Sequence, residues 1–447
     1  MNDNFLDAQA YAGRWLDIIH KTDVTQAEAE QIVRETVDNF ANHFNKGFLD
    51  YRKSMTLSGG FAATEWQGEG ALLRDVMGRE FIDCLGGYGL LSLGWSHPRV
   101  VDAVRTQLGR TPMPSQELLD PLRGVLAHLL AMITPGDIQY FFFAAGGTEA
   151  VEGAMKLAKM YTGKSGFISS VKGFHGKSMG PLSLMGKSNF RKPVGQLYPN
   201  VQWVPFGDAD AVARQLEIDA AVGYDVAAVI MEPIQGEAGA IVPPDDYWPR
   251  LRELCDKYGV LLIADEVQTG MGRTGTLWGV DHWNVVPDII VMGKALGGGV
   301  MPVSAFGARP EIWQSMMYPN PFIHTTTTGG NPLACAAAIA AIQVTLEENL
   351  PQMAAEKGDY FKAGLEKLAS DYPQYYERIT GRGLLLAQHF HSDETGYKVA
   401  AGLFKRGVIV TGTLTNARSI RIEPPFYITY PQIDTVLERL EETLKEL

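Results

Sequence analysis

Cysteine is scarce in this chain: 447 residues carry three, Cys84, Cys255 and Cys335, widely separated and without a Cys-x-x-Cys spacing. That pattern argues against a disulfide framework or a zinc site and fits a reducing compartment. Positive charge is short as well. With 39 Lys and Arg against 51 Asp and Glu, the net charge of −12 opposes nucleic acid as a partner. No apolar run is long enough to span a bilayer. The opening residues, "MNDNFLDAQAYAGRW", lack the basic start and apolar stretch of a secretory signal, so a cytoplasmic location is expected. Internal repeats and low-complexity tracts are missing too, and the glycines of "ALGGGV" do not follow the GxGxxG spacing of dinucleotide sites. What the chain has in quantity is apolar side chain, 46% of its residues, enough for a large core and two domains.

Between Thr148 and Gly307, helical patterns alternate with short apolar runs: "GFISS", "VQWVPF", "DVAAVIME", "VLLIADE", "DIIVMG" and "VSAFGA". Such alternation predicts an α/β fold with a mostly parallel central sheet flanked by helices. Upstream, Thr25 and Glu28 form a capping-box pattern that predicts a helix from Gln26 to about His43, followed by extended segments. Downstream of Pro332, an alanine-rich helix begins a segment that ends in the amphipathic "YPQIDTVLERLEETLKEL".

Three segments carry chemistry. In "PDIIVMGKALGGGVMP" a continuous apolar run delivers Lys294 into a glycine stretch. Burial there would lower the amine's pKa and make it a nucleophile for carbonyls, although most lysines beside glycines are solvated loop residues. In "YGVLLIADEVQTGMGRTG" the run Val260 to Ala264 stops at Asp265 and Glu266. Ligands of open α/β sheets bind at the carboxyl ends of strands, where an isolated acid is useful. In "YFFFAAGGTEAVEGAMKLAKMY" a strand passes through Gly146, Gly147 and Thr148 into a helix, with Val151, Ala154, Met155, Ala158 and Tyr161 on its predicted apolar face. Free N–H groups at a helix mouth suit a phosphate, and a plain strand-to-helix turn would read the same way.

These segments, together with "LGGYGLLSLGWSHPRVVDAV", "GFHGKSMG", "VIMEPIQGEAGAIVPP", "HTTTTGGNPLACAAA" and "SIRIEPPFYIT", resemble in wording and order the class III (ω-) aminotransferases of the fold type I pyridoxal phosphate enzymes. The resemblance runs from about Asn45 to the end. "FLDYRKSMT", "SQELLDPLR" and "ALGGGVMPVSAFGA" narrow it to the bacterial putrescine (diamine) aminotransferases. It implies a large cofactor-binding domain, residues 91–331, and a smaller α+β domain built from both termini, residues 1–90 and 332–447.

Site roles follow by the same resemblance. Lys294 matches the lysine that bonds to pyridoxal 5′-phosphate, and Asp265 the carboxylate that pairs with its pyridine nitrogen. Gln268 matches the amide on the cofactor's 3′-oxygen, Phe174 the aromatic stacked on its ring, and His175 a support for that loop. Gly146, Gly147 and Thr148 match the phosphate cradle, and Thr327 the threonine that reaches the phosphate from a neighbouring subunit, implying a homodimer or a tetramer made of two dimers. Arg421 resembles a carboxylate-binding arginine, and Glu237 the glutamate that pairs with it when the substrate brings no α-carboxylate. Gln116 and Tyr88 match pocket residues.

Two departures stand out. Gly146 occupies a position where relatives commonly have serine, and Thr328 one where an aromatic is common. The implied reaction moves a terminal amino group from a diamine (putrescine, cadaverine) or ω-amino compound to 2-oxoglutarate or pyruvate. Alternatives on the same scaffold are a broad amine or ω-amino acid transaminase and an aminomutase. A cofactor-bound idle protein has no use for Lys294, Asp265 and Gln268 together.

Overall fold

The computed structural model describes residues 3–50 and 63–447. The chain divides into two compact units, Met1–Gly68 with Leu72–Phe81, and Glu69–Ala71 with Ile82–Leu447.

The first unit contains the helices Asp3–Ile19 and Gln26–Asn39, with Ile18, Ala29, Ile32 and Val76 buried together. The predicted capping box is formed: Glu28 N–H donates to Thr25 Oγ1 at 3.3 Å and Thr25 N–H to Glu28 Oε2 at 2.8 Å. The helix expected to reach His43 stays α-helical to Asn39 and continues as a π-helical segment, Phe40–Asn45. Tyr51–Thr56 of the "FLDYRKSMT" run lie outside the described residues.

The second unit is organised by a seven-stranded sheet. Its strands are β1 (Tyr140–Ala144), β2 (Gly166–Ser170), β3 (Val201–Val204), β4 (Val226–Met231), β5 (Leu261–Asp265), β6 (Ile289–Met292) and β7 (Ser304–Ala308). Their spatial order is β1-β7-β6-β5-β4-β2-β3. Six strands run in one direction; β7 alone is antiparallel to both of its neighbours. The central strands are buried on both faces, as a helix-covered parallel sheet requires. Side-chain alternation then sorts residues between two cores. Leu262, Ala264, Ile290 and Met292 enter one, and Leu261, Ile263, Ile289 and Val291 the other.

The helix Gly147–Thr162 illustrates how local sequence serves this packing. Ala150, Val151, Gly153, Ala154, Met155, Leu157 and Ala158 are buried, whereas Tyr161, expected on the apolar face, is 43% exposed. It sits in the last turn of the helix, just before the C-cap at Gly163. Helix Tyr247–Tyr258 ends at Gly259, whose φ of 60° turns the chain directly into β5.

A second, antiparallel sheet orders Tyr376–Arg382, Leu385–Phe390, Ser419–Ile422 and Thr411–Gly412. Its core takes Phe390, Ile420, Ile422 and Phe426 together with Ala71, Ile82, Cys84, Leu93 and Val100, so residues early in this unit pack with the C-terminal segment. No single helix among the described residues is long and apolar enough to cross a membrane.

Candidate active site

Five parallel strands end at one edge of the large sheet, and the candidate residues sit just past those ends. β1 leads into Gly146 and Gly147, β2 toward Phe174 and His175, β4 into Glu232, β5 ends on Asp265, and β6 leads through Gly293 to Lys294. They enclose a cavity of about 310 Å³. Gly147, Thr148, Phe174, His175, Asp265, Gln268 and Lys294, all expected from sequence, line it together with Gly176, Lys177, Glu232, Val267 and Thr269. Topology explains the convergence: each apolar run must stop where the sheet stops, and the first polar residue after it faces the common edge.

Lys294 lies in a left-handed backbone conformation, φ 45°, which is costly for any residue that carries a Cβ. Tyr88 and Gln116, at φ 61° and 67°, share that strain. Burial lowers the Lys294 ammonium pKa below its ordinary value, against the opposing charges of Glu423 and Glu237. The amine is thereby shifted toward its nucleophilic form.

Across the cavity, His175 and Asp265 form a buried pair, with Nδ1 2.7 Å from Asp265 Oδ2. Burial alone would depress the imidazole, yet the hydrogen bond and charge of Asp265, with Glu232 behind it, leave its pKa raised. Asp265 Oδ1 also accepts from Val267 N–H at 3.1 Å, so the carboxylate is fixed on both oxygens. Glu232 escaped the sequence reading. It accepts from the N–H groups of Phe174 at 2.9 Å and Gly236 at 3.1 Å, tying β4 to the Phe174 loop and to the loop bearing Glu237. Burial pushes its carboxyl up to about 7. The signal was available: "VIMEP" ends an apolar run on an acid, as "LIADE" does.

At the helix mouth, Glu149 Oε2 accepts from the N–H groups of Ala145 and Gly146, each at 2.9 Å. The N–H groups of Gly147 and Thr148 begin the helix without intrahelical acceptors and border the cavity. A Cβ on Gly147 would lie 2.9 Å from Val267 Cγ1, so a side chain there would have to displace that of Val267. A second hydroxyl stands beside Thr148: Ser178 Oγ is 2.7 Å from Thr148 Oγ1.

Glu237 and Arg421 lie in a second, fully buried layer. Arg421 Nη1 donates to Glu237 Oε1 at 2.7 Å, and Leu414 N–H to Glu237 Oε2 at 2.8 Å. The guanidinium lies 5.2 Å from the Tyr88 ring centroid. Desolvation works against the arginine's charge, and the carboxylates of Glu423 and Glu237 more than restore it, so its pKa is raised; Glu237 is held below the usual carboxylate range despite its own burial. Gln268 donates to the Tyr88 carbonyl at 3.3 Å and to both oxygens of Glu423, at 3.1 and 3.0 Å. Glu423 and its neighbour Arg273 also went unread in the sequence. Thr327 and Gln116 are not brought to this cavity. They meet each other elsewhere, Gln116 Nε2 donating to the Thr327 carbonyl at 2.5 Å.

A sheet of this order with a lysine beyond β6 and an acid at the tip of β5 defines the fold type I architecture of pyridoxal phosphate-dependent aminotransferases. The group fits here: an anion cradle at a helix N-terminus with a crowded glycine, Gly147, a fixed carboxylate and an amine of lowered pKa border one cavity. Within that class, the family model described as Aminotransferase class-III matches residues 60–444, and the chain belongs to this family, whose members depend on pyridoxal phosphate. Among solved structures it is similar to the ornithine aminotransferase of Toxoplasma gondii ME49, at 30% identity and TM-score 0.81, covering 90% of this chain and 94% of that one. It is similar also to a thermostable (S)-enantioselective omega-transaminase from Thermomicrobium roseum, at 28% identity and TM-score 0.85, covering 94% and 98%. For the acetylornithine aminotransferase of Elizabethkingia anophelis the values are 30% and 0.78, covering 93% and 99%.

Proposed function

We propose that this class III aminotransferase takes its amino group from the terminal carbon of a diamine, putrescine or cadaverine, or of an ω-amino compound, and passes it to 2-oxoglutarate or pyruvate. The observation that carries this reading is the buried Glu237–Arg421 pair at 2.7 Å. With its charge answered by Glu237, Arg421 offers no free fork to an α-carboxylate, which suits a donor that has none. Release of Glu237 would free the same arginine for the α-carboxylate of the keto acid, so one pocket serves both halves of a ping-pong cycle. The ornithine aminotransferases and the omega-transaminase among the similar structures accord with a donor amine remote from a carboxylate.

When bound, pyridoxal phosphate supplies an aldehyde carbon for the amine and a protonated ring that takes up electrons as a Cα proton leaves. The residues do the rest. Lys294 would hold the cofactor covalently and carry the proton. Asp265, steadied by His175, would keep the ring nitrogen protonated, and Phe174 would fix the plane of the ring. Gly147 and Thr148 would receive the phosphate, with Ser178 bringing a hydroxyl beside Thr148. Gln268 would meet the ring oxygen by turning away from the Tyr88 carbonyl the amide hydrogen that Glu423 does not hold. Thr327 and Gln116, paired away from this cavity, would serve the site of a second copy in a homodimer.

The deciding experiment is an absorbance titration of the purified holoenzyme with putrescine, cadaverine, 6-aminohexanoate, ornithine and glutamate. Bleaching of the cofactor band by putrescine, restored by 2-oxoglutarate or pyruvate, is expected. Bleaching by ω-amino acids alone would discard the diamine, and a product formed without any keto acid would favour an aminomutase.

A further inference from the structure

Arg421 is flanked by carboxylates on two sides. Beyond Glu237 at Nη1, Glu423 Oε2 lies 3.0 Å from its Nε, and all three side chains are buried. Glu423 is not placed there by a flexible surface loop. Residues 419–422 form a strand that ends beside it, and its N–H donates to the Cys84 carbonyl at 2.8 Å. The "GGYG" segment is shaped around it: a Cβ on Gly89 would lie 2.5 Å from Glu423 Oε1, and one on Gly86 2.2 Å from the Glu423 carbonyl oxygen. On its far side stands Arg273, 4.0 Å from Oε1 and anchored to the carbonyls of Leu384 and Pro424 and to Ser92 Oγ.

Two guanidinium groups and two carboxylates thus stand in one buried cluster, with the Lys294 amine close enough to act on both acids. If Glu237 moves aside, Glu423 still answers Arg421. Take Glu423 away, and the cluster keeps an uncompensated positive charge next to the substrate's place, in a medium where such charge acts strongly. We propose that Glu423 is a positioning residue that sets substrate preference: by partly neutralising Arg421 throughout the cycle, it weakens the pocket's hold on carboxylates and favours cationic amine donors. Its bifurcated contact with Gln268 carries the same constraint to the amide beside the cofactor's place. This inference rests on the preceding reading that Arg421 receives the substrate carboxylate.

The test uses the holoenzyme and glutarate, a dicarboxylate with no group to react, titrated calorimetrically, alongside the KM for putrescine. For Glu423→Gln, which keeps the shape and removes the charge, glutarate should bind about tenfold more tightly while the putrescine KM rises severalfold. Arg273→Met, which removes the opposing cation, should move glutarate binding the other way, so either variant carries the test if the other fails to fold. Glutarate affinity unchanged in a folded variant, or both ligands weakened in step as a loosened structure would give, would overturn the proposal. If the wild-type enzyme accepts no diamine, the diamine reading falls and the glutarate arm still decides the role of Glu423. If putrescine reacts and glutarate binding does not move, only the role of Glu423 falls.

Discussion

Lys294 brings together features that are each costly alone: a left-handed backbone, a desolvated amine and a neighbouring glycine held in place by close contacts. Such strain persists where a site needs it. Replacing the lysine by alanine keeps the Cβ and with it the backbone strain, but relieves the cost of the buried amine and leaves Lys177 as the one amine among the residues lining the cavity. Lys294→Ala is therefore expected to fold and to bind the cofactor without a covalent bond, so that borohydride no longer fixes it to the protein. Turnover should fall by about 10³-fold or more, the scale of losing a positioned base and nucleophile together. A variant still fixed by borohydride would show that another amine holds the cofactor. At this same scale the sequence was read well where an apolar run breaks on a polar residue, as at Asp265 and Lys294. It was read poorly at Glu423. An acid two positions beyond Arg421 looks like any surface charge until the fold sets Gln268, 155 positions away, and Arg273 against it.

Elements, more than single residues, hold the cradle in place. Helix Gly147–Thr162 packs on β7 through Gly153, where a Cβ would fall 2.2 Å from Phe306 Cε1. Helix propensity favours alanine over glycine by about 1 kcal/mol, but a clash of that kind in a packed core costs about 1–3 kcal/mol. Gly153→Ala should therefore destabilise the protein in urea unfolding, and by tilting the helix it should weaken cofactor retention. Gly124→Ala supplies the control. It lies exposed within helix Pro121–Ile133 with nothing within 4 Å of an added Cβ, and should raise stability by about 0.5–1 kcal/mol. Equal signs for the two variants would refute the packing argument. Periodicity could announce this helix and most of its buried face, because Val151, Ala154, Met155 and Ala158 repeat at helical spacing. It could not announce that Gly153 is a contact, nor that Tyr161 runs out into solvent, since both depend on where the sheet lies beneath the helix.

For the whole molecule, the sum of buried titratable groups predicts how stability depends on pH. Burial pushes the carboxyls of Glu232 and Glu266 up to about 7 from an ordinary 4.5. Between those values the folded chain keeps protons that the unfolded chain has released, so stability falls as pH rises through the window and levels off above it. His175 acts in the same direction. Despite its burial, Asp265 raises its pKa above 6.5, so the stability this pair gives is complete below 6.5 and is lost as pH climbs through the folded value. Glu237, held below 4.5, works oppositely only in more acid solution, where its pairing with Arg421 fails as it is protonated. Each raised carboxyl can contribute on the order of 3 kcal/mol across its window, a large part of a typical folding free energy. The urea midpoint of the holoenzyme should thus decline from pH 5.5 to pH 8. Glu266 lies behind the cavity wall, accepting from Gly279 and Val280 N–H, each at 2.9 Å, so Glu266→Gln isolates this effect from cofactor binding. That variant should show a shallower decline than the parent. A midpoint that rises over this range, or an identical slope in the variant, would mean that these carboxyls are ionised in the folded protein and that their cost is met by the hydrogen bonds around them.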